Sequence, residues 1–238
     1  MRDTPVMPDR SSVSPDRSRA VPDRPTAVVF DLGGVLVDWN PRHLYRQLFA
    51  DEAAMERFLA EVTTPAWNLE QDRGRPFADG IASLVRDHPD QAELIEAYWR
   101  RWPEMLGEPY HETVDILAAL RATGIRLLAL TNWSAETYPF APPRYPFLGW
   151  FEAVIVSGDA ELVKPDPAIF QLLVDRHGLE PSRTVLIDDT VANVRAAEAL
   201  GFRAISFMGA PALRRDLVAM GLLPATPAEA GAGADPDR

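Results

Sequence analysis

Residues 28–37 read VVFDLGGVLV, an aliphatic run broken by one aspartate, Asp31, and two glycines, Gly33 and Gly34. Ala27 to Phe30 are apolar throughout rather than alternating, as in a strand buried on both faces. A carboxylate at the end of such a strand carries a desolvation cost, and the sequence offers no nearby base to pair with it. Similar runs recur at IRLLALT (125–131), FEAVIVS (151–157), TVLIDD (184–189) and FRAISF (202–207). Helical patterns separate them, such as ETVDILAALRATG closed by Gly124 and VANVRAAEALG closed by Gly201 with Thr190 as its N-cap. Strands and helices in alternation predict an α/β fold with a doubly wound, Rossmann-like parallel sheet.

Residues 41–108 break the alternation. PRHLYRQLF, DEAAMERFLAEV, RPFADGIASLVRDH and QAELIEAYWRRW read as successive helices with no convincing strand, so an all-helical cap subdomain is expected there. The α/β core then comprises 25–40 and 109–223. Residues 1–24 repeat Pro-Asp-Arg at Pro8, Pro15 and Pro22 and are poor in large apolar groups, and 224–238 are equally loose; both are expected to be disordered tails. The N-terminal stretch lacks the apolar segment of a signal peptide.

With 238 residues, 47% hydrophobic, the chain can bury one substantial core and a smaller subdomain. A formal charge of -11 disfavours nucleic acid or an anionic membrane as partner. The absence of cysteine excludes disulfides, thiolate metal sites and cysteine nucleophiles, and suits a cytoplasmic location. No apolar run approaches the roughly 18 residues of a spanning helix. A soluble monomer or homodimer is expected.

Ligands of open α/β sheets bind at the carboxyl ends of the strands. Asp31, Gly33 and Gly34 follow the first strand, Thr131 and Asn132 end the second, Lys164 follows the third, and Asp188 and Asp189 end the fourth. Each alone is an ordinary turn or cap residue. Together they bring three carboxylates, an ammonium and a hydroxyl to one crevice.

At these residues the chain resembles the haloacid dehalogenase (HAD) superfamily of aspartate-nucleophile hydrolases. FDLGGVLV, LALTN, Lys164 in VKPDPAIF and VLIDDTVANVRAAEALG match its four motifs in order, over about 25–210. The resemblance implies a HAD-like core with a helical cap, Asp31 as nucleophile, Thr131 and Asn132 holding the transferring group, Lys164 neutralising charge, and Asp188 and Asp189 organising Mg²⁺.

The residue chemistry agrees. A carboxylate can attack phosphorus to give an aspartyl-phosphate that water then hydrolyses, and phosphoryl transfer needs a cation and fixed donors around the equatorial oxygens. Gly33 and Gly34 let backbone N–H groups approach an anion. Carboxylates about 5 Å apart repel by roughly 3 kcal/mol per pair at an effective dielectric of 20. Mg²⁺ relieves that repulsion, with Asp31, the Gly33 carbonyl and Asp189 as direct ligands and Asp188 acting through water.

These features predict a Mg²⁺-dependent phosphatase for a small phosphorylated metabolite. Dehalogenases resembling this family lack the adjacent acid pair and usually have Tyr where Gly33 stands. Phosphatases of the family usually place there an Asp that protonates the leaving oxygen, so the usual acid is missing. Glu70 or Asp72 of the cap, a water, or a leaving group needing little help would compensate, and an anomeric sugar phosphate is the first candidate substrate. The alternatives are a 2-haloacid dehalogenase-type hydrolase attacking carbon through Asp31, or a catalytically weak binding protein on the same scaffold. Trp133, directly after Asn132, is placed to line the pocket, whereas Trp67, Trp99 and Trp102 read as cap packing. His43, His88, His111 and His177 read as structural or exposed, with no carboxylate partner, and TYPFAPPRYPFLGWF as a packed loop.

Overall fold

The computed structural model describes residues 24–225. The expected tails therefore lie, but for their innermost residues, outside the described residues. Seven strands occur in the described chain: β1 (Ala27–Phe30), β2 (Val37–Trp39), β3 (Leu106–Pro109), β4 (Arg126–Thr131), β5 (Ala153–Val156), β6 (Thr184–Asp188) and β7 (Arg203–Ser206). Five form one sheet in the order β5-β4-β1-β6-β7, with every pairing parallel.

The pleat sends alternate side chains of β1 to opposite faces. Val28 and Phe30 join Leu127, Ala129, Val185 and Ile187 under the helices His111–Ala122 and Ala210–Ala219. Ala27 and Val29 join Leu128, Leu130 and Leu186 under Pro167–His177 and Val191–Ala199. Every residue of β1 is at most 1% exposed, which is why the run shows no alternation.

The chain leaves β1 toward β4 and β5 on one side and reaches β6 and β7 on the other. The strand order thus switches direction at β1, and the crevice opens there. Phe30 lies in register with Ala129 and Ile187, so Asp31, Thr131 and Asp188 all emerge at the same sheet edge.

Between β2 and β3 lie the helices Arg42–Tyr45, Glu52–Glu61, Pro65–Asp72, Phe77–Asp87 and Ala92–Arg100. Asp51 caps the second through the Ala53 and Ala54 N–H groups, and Thr64 caps the third through Trp67 N–H with Pro65 at the first helical position. Tyr45, Phe58, Trp67, Phe77 and Tyr98 form its interior, with Tyr45 and Phe58 ring centres 5.0 Å apart and Trp67 set edge-on to Tyr98 at 5.0 Å.

The block 41–108, expected to be all-helical, contains one strand. Leu106–Pro109 pairs antiparallel with Val37–Trp39. LGEP carries neither alternation nor β-branched residues, so nothing local announces a strand; its partner and the Tyr145 hydroxyl, which donates to the Gly107 carbonyl at 2.7 Å, hold it in place. Gly107 is needed there, because a Cβ would lie 2.7 Å from Asp38 Oδ2 and 2.9 Å from the Asp38 carbonyl.

The helical block closes on the sheet edge. Ser157 Oγ donates to the Asp72 carbonyl at 2.5 Å, Phe77 N–H donates to Glu136 at 3.0 Å, and the Trp102 and Trp133 rings pack at 5.8 Å.

Candidate active site

Asp31 sits one residue beyond β1 and is 9% exposed. Its Oδ1 accepts the Leu32 N–H at 2.7 Å, and its Oδ2 lies 2.9 Å from Lys164 Nζ. Lys164 also donates to Asp188 Oδ2 at 2.6 Å, so one buried ammonium bridges two carboxylates. Burial alone would push the ammonium down; Asp31 and Asp188 together hold it above the usual lysine value. Burial pushes the Asp31 carboxyl up to about 7, against the attraction of Lys164 and with the repulsion of Asp188 and Asp189.

Asn132 fixes the lysine. Its Oδ1 accepts the Lys164 N–H at 2.8 Å and its Nδ2 donates to the Lys164 carbonyl at 2.9 Å, a two-point clamp on that main chain. Asp188 is fixed from behind by Thr190 N–H and Asn193 Nδ2, each 2.9 Å from Oδ1. Asp189 lies at the mouth, its carboxyl raised by burial and by the charge of Asp188. Oxygens of Asp31, Asp188 and Asp189 lie within 4.8 Å of one another. At that spacing two charged carboxylates repel by about 3 kcal/mol at an effective dielectric of 20. Three carboxyls against one ammonium leave a deficit of positive charge, and an all-oxygen donor set of this kind suits a hard divalent cation such as Mg²⁺.

Asp31, Gly33, Gly34, Thr131, Asn132, Trp133, Lys164 and Asp189 line a single cavity of about 270 Å³. Asp188, 1% exposed, stands behind its wall and is absent from the lining. Gly34 is placed otherwise than expected. Its N–H is spent on the Val37 carbonyl at 3.0 Å, so it has no amide to offer an anion. Its role is spatial: φ is +74°, and a Cβ would fall 2.2 Å from Asp189 Oδ2. At Gly33, by contrast, a Cβ would meet no atom within 4 Å, and φ is not positive.

The remaining wall comes from Thr190 and Asn193 and from Trp39, Asn68, Asp72 and Trp102, of which the sequence marks only Asp72 as a site candidate, alongside Glu70. Glu70 is absent from the lining and lies 3.7 Å from Arg73 on the surface. Trp102, expected as cap packing, packs on Trp133 and also lines the cavity. Trp39 Nε1 and Trp133 Nε1 are buried and make no hydrogen bond. His43 has a carboxylate partner after all, with Asp38 Oδ2 at 2.9 Å from Nε2. Thr190 precedes its helix as expected but caps it without a side-chain bond, its Oγ1 facing Asp189 Oδ1 at 3.3 Å instead.

Among the described residues no helix is long and apolar enough to cross a membrane. The family model of haloacid dehalogenase-like hydrolases matches residues 25–201. The chain is similar to phosphoglycolate phosphatase of Shigella boydii, 27% identical over 198 residues covering 73% of this chain and 77% of that one. A predicted HAD-like family hydrolase from Porphyromonas gingivalis superposes with a TM-score of 0.60 at 26% identity, covering 82% of this chain and 98% of the other. A HAD family enzyme from Bacteroides thetaiotaomicron, solved with magnesium and inorganic phosphate, gives 0.59 at 22% identity over 76% of this chain and 93% of the other, a likeness of fold.

Proposed function

The chain belongs to the haloacid dehalogenase-like hydrolases, and from that premise we propose that it is a cytoplasmic Mg²⁺-dependent phosphatase for a small phosphorylated metabolite. The observation that carries this reading is the convergence of Asp31, Asp188 and Asp189 oxygens within 4.8 Å beside a buried lysine. Bound there, with Asp31, Asp189 and the Gly33 carbonyl as ligands and Asp188 behind them, Mg²⁺ would supply positive charge to a phosphoryl group and offset carboxylate repulsion.

Asp31 attacks phosphorus through its Oδ2, the oxygen beside Lys164, while Oδ1 is held by the Leu32 N–H. The aspartyl-phosphate so formed is hydrolysed by water. Lys164 neutralises the phosphoryl oxygens, and the Asn132 clamp fixes where its ammonium sits. Thr131, buried at the end of β4 and lining the cavity, donates its hydroxyl to the same oxygens.

The substrate's organic part faces Trp39, Asn68, Trp102 and Trp133. Two buried indole N–H groups without acceptors suit a group rich in oxygen acceptors, and a cavity near 270 Å³ holds a small one. A sugar phosphate meets both conditions. Phosphatase names among the relatives support the reaction class.

Phosphate release and halide release from panels of small substrates, each with Mg²⁺ and with a chelator, test the proposal. Chelator-sensitive phosphate release without halide release is expected. Halide release insensitive to chelator would move the assignment to attack on carbon, and no turnover in either panel would leave a binding protein.

A further inference from the structure

Expulsion of an alkoxide from phosphorus requires a proton, and the core half of the cavity has no carboxyl free to give one. Three carboxyls line the cavity: Asp31, Asp72 and Asp189. Asp31 is the attacking group, Asp189 faces the cation side, and Gly33 presents no side chain. Resting on the phosphatase reading, we propose that Asp72, carried into the cavity by the helical cap, protonates the leaving oxygen.

Asp72 is the last residue of the helix Pro65–Asp72. Asn68, one turn earlier on the same face, donates from Nδ2 to Asp72 Oδ2 at 2.9 Å. The Tyr98 hydroxyl donates to Asn68 Oδ1 at 2.8 Å, which fixes the amide with its N–H₂ toward Asp72. The second neighbour is the Ser134 main chain, which also donates. Both neighbours are donors, so neither can take a proton from Asp72. Asp72 also lines the cavity, where a leaving oxygen can accept its proton.

Burial raises the Asp72 carboxyl from the usual 3.8 to about 7, with the Ser134 hydrogen bond pulling the other way. Tyr98 is the titratable group coupled to it; burial first, then the charge of Asp72, pushes its phenol well up, so it stays neutral. At neutral pH a large fraction of Asp72 therefore retains its proton, as a general acid requires.

The balance closes. As Asp31 Oδ2 bonds to phosphorus and the bond to the leaving oxygen breaks, the Asp72 proton passes to that oxygen and the alcohol departs. In the second step Asp72, now a carboxylate, takes a proton from water as the water oxygen attacks phosphorus. The bond to Asp31 breaks, phosphate leaves, and both carboxyls return to their starting forms.

The experiment compares alkyl and aryl phosphates with wild type, Asp72→Asn, and Asp72→Asn combined with Gly33→Asp, in Mg²⁺. Asp72→Asn should lose about 10²–10⁴-fold in kcat/KM on alkyl phosphates and stay within a few fold of wild-type kcat/KM on p-nitrophenyl phosphate, whose leaving group needs no proton; kcat/KM reports formation of the aspartyl-phosphate and not its hydrolysis, in which Asp72 serves both esters alike. Retained aryl kcat/KM also shows that the variant folds. Gly33→Asp has open space for its side chain and should recover much of the alkyl activity in the double variant. Wild-type kcat/KM on alkyl phosphates should fall as pH rises through about 7, a limb absent with the aryl ester. Equal losses of kcat/KM on both ester classes, unchanged alkyl kcat/KM, or identical wild-type pH profiles for the two would overturn the assignment of Asp72 alone. Absence of phosphate release by wild type from either class would overturn the phosphatase reading beneath it.

Discussion

The two walls of the cavity treat carboxyl groups in opposite ways. On the sheet side Asp31, Asp188 and Asp189 crowd around one ammonium, with Lys164 within 2.9 Å of two of them. On the helical side a single carboxyl, Asp72, lies among an amide, indoles and a phenol, where burial favours its neutral form. One wall concentrates charge and therefore invites a cation and a phosphoryl group. The other dilutes charge, so it can keep a proton and meet an uncharged organic part. A buried carboxyl thus acts as nucleophile, ligand or acid according to what surrounds it, with the same chemical group in each case.

The contrast breaks most visibly at Asp31. Asp31→Asn keeps the shape of the side chain and removes the nucleophile, so turnover should fall by about 10⁴-fold or more, with the melting temperature preserved. Phosphate release within tenfold of wild type from a folded variant would mean that the chemistry is not seated on the sheet side.

The next effect is on stability and concerns the opposite wall. Because the folded Asp72 carboxyl sits at about 7 and the unfolded one near 3.8, the native state retains a proton that the unfolded chain releases between those values. Stability contributed by that proton is complete below about 3.8 and is lost as pH rises toward 7. Asp72→Asn lacks the slope, so its stability relative to wild type should climb across this window and level off above it, approaching about 4 kcal/mol. Denaturant titrations at pH 5 and pH 8 read the difference directly. A difference independent of pH would show the two walls to be alike.

Mg²⁺ should then stabilise the sheet side by mass action, about 2.7 kcal/mol at a hundredfold excess over Kd. Asp189→Ala should remove most of that shift and Asp72→Asn none of it. An undiminished shift in the Asp189 variant would relocate the ion. The smallest effect belongs to Trp133, whose indole N–H is buried without an acceptor. Trp133→Phe should leave the melting temperature near wild type and raise KM by several fold, the equivalent of about 1 kcal/mol for one hydrogen bond. An unchanged KM would mean that the substrate does not reach this donor.

The same division governs what could be read from the chain. Asp31, Thr131, Asp188 and Asp189 each end or follow a run of apolar residues, and parallel pairing delivers strand ends to one edge, so sequence position alone brings them together. Lys164 and Asn132 belong to the same strand ends, although the clamp of the Asn132 side chain on the Lys164 main chain joins residues 32 positions apart and leaves no local signature. The helical wall offered no such rule. Trp39 lies in a three-residue strand, Trp102 in a short helical turn, and Asn68 in a helix whose apolar pattern is modest, so only tertiary packing joins them. Helical spacing did hold one usable clue. Residues 68 and 72 share a face while 70 points about 200° away, which separates Asp72 from Glu70. The Leu106–Pro109 strand escaped because its pairing, rather than its composition, makes it a strand.

The ribbon formed by β2 and β3 delimits an insertion with its own evolutionary latitude. Trp39, Asn68, Asp72 and Trp102 all fall inside one continuous stretch that begins and ends on neighbouring strands, whereas Asp31, Lys164, Asp188 and Asp189 lie outside it. Substitution or replacement of that stretch can alter which molecule is accepted and how its departing half is managed without altering the reaction itself. Trp133 on Trp102, Ser157 on the Asp72 carbonyl and Glu136 on the Phe77 N–H are among the contacts that tie the two inheritances together. Selection on substrate choice and selection on chemistry can therefore proceed in this chain almost independently, meeting along the narrow seam of those contacts.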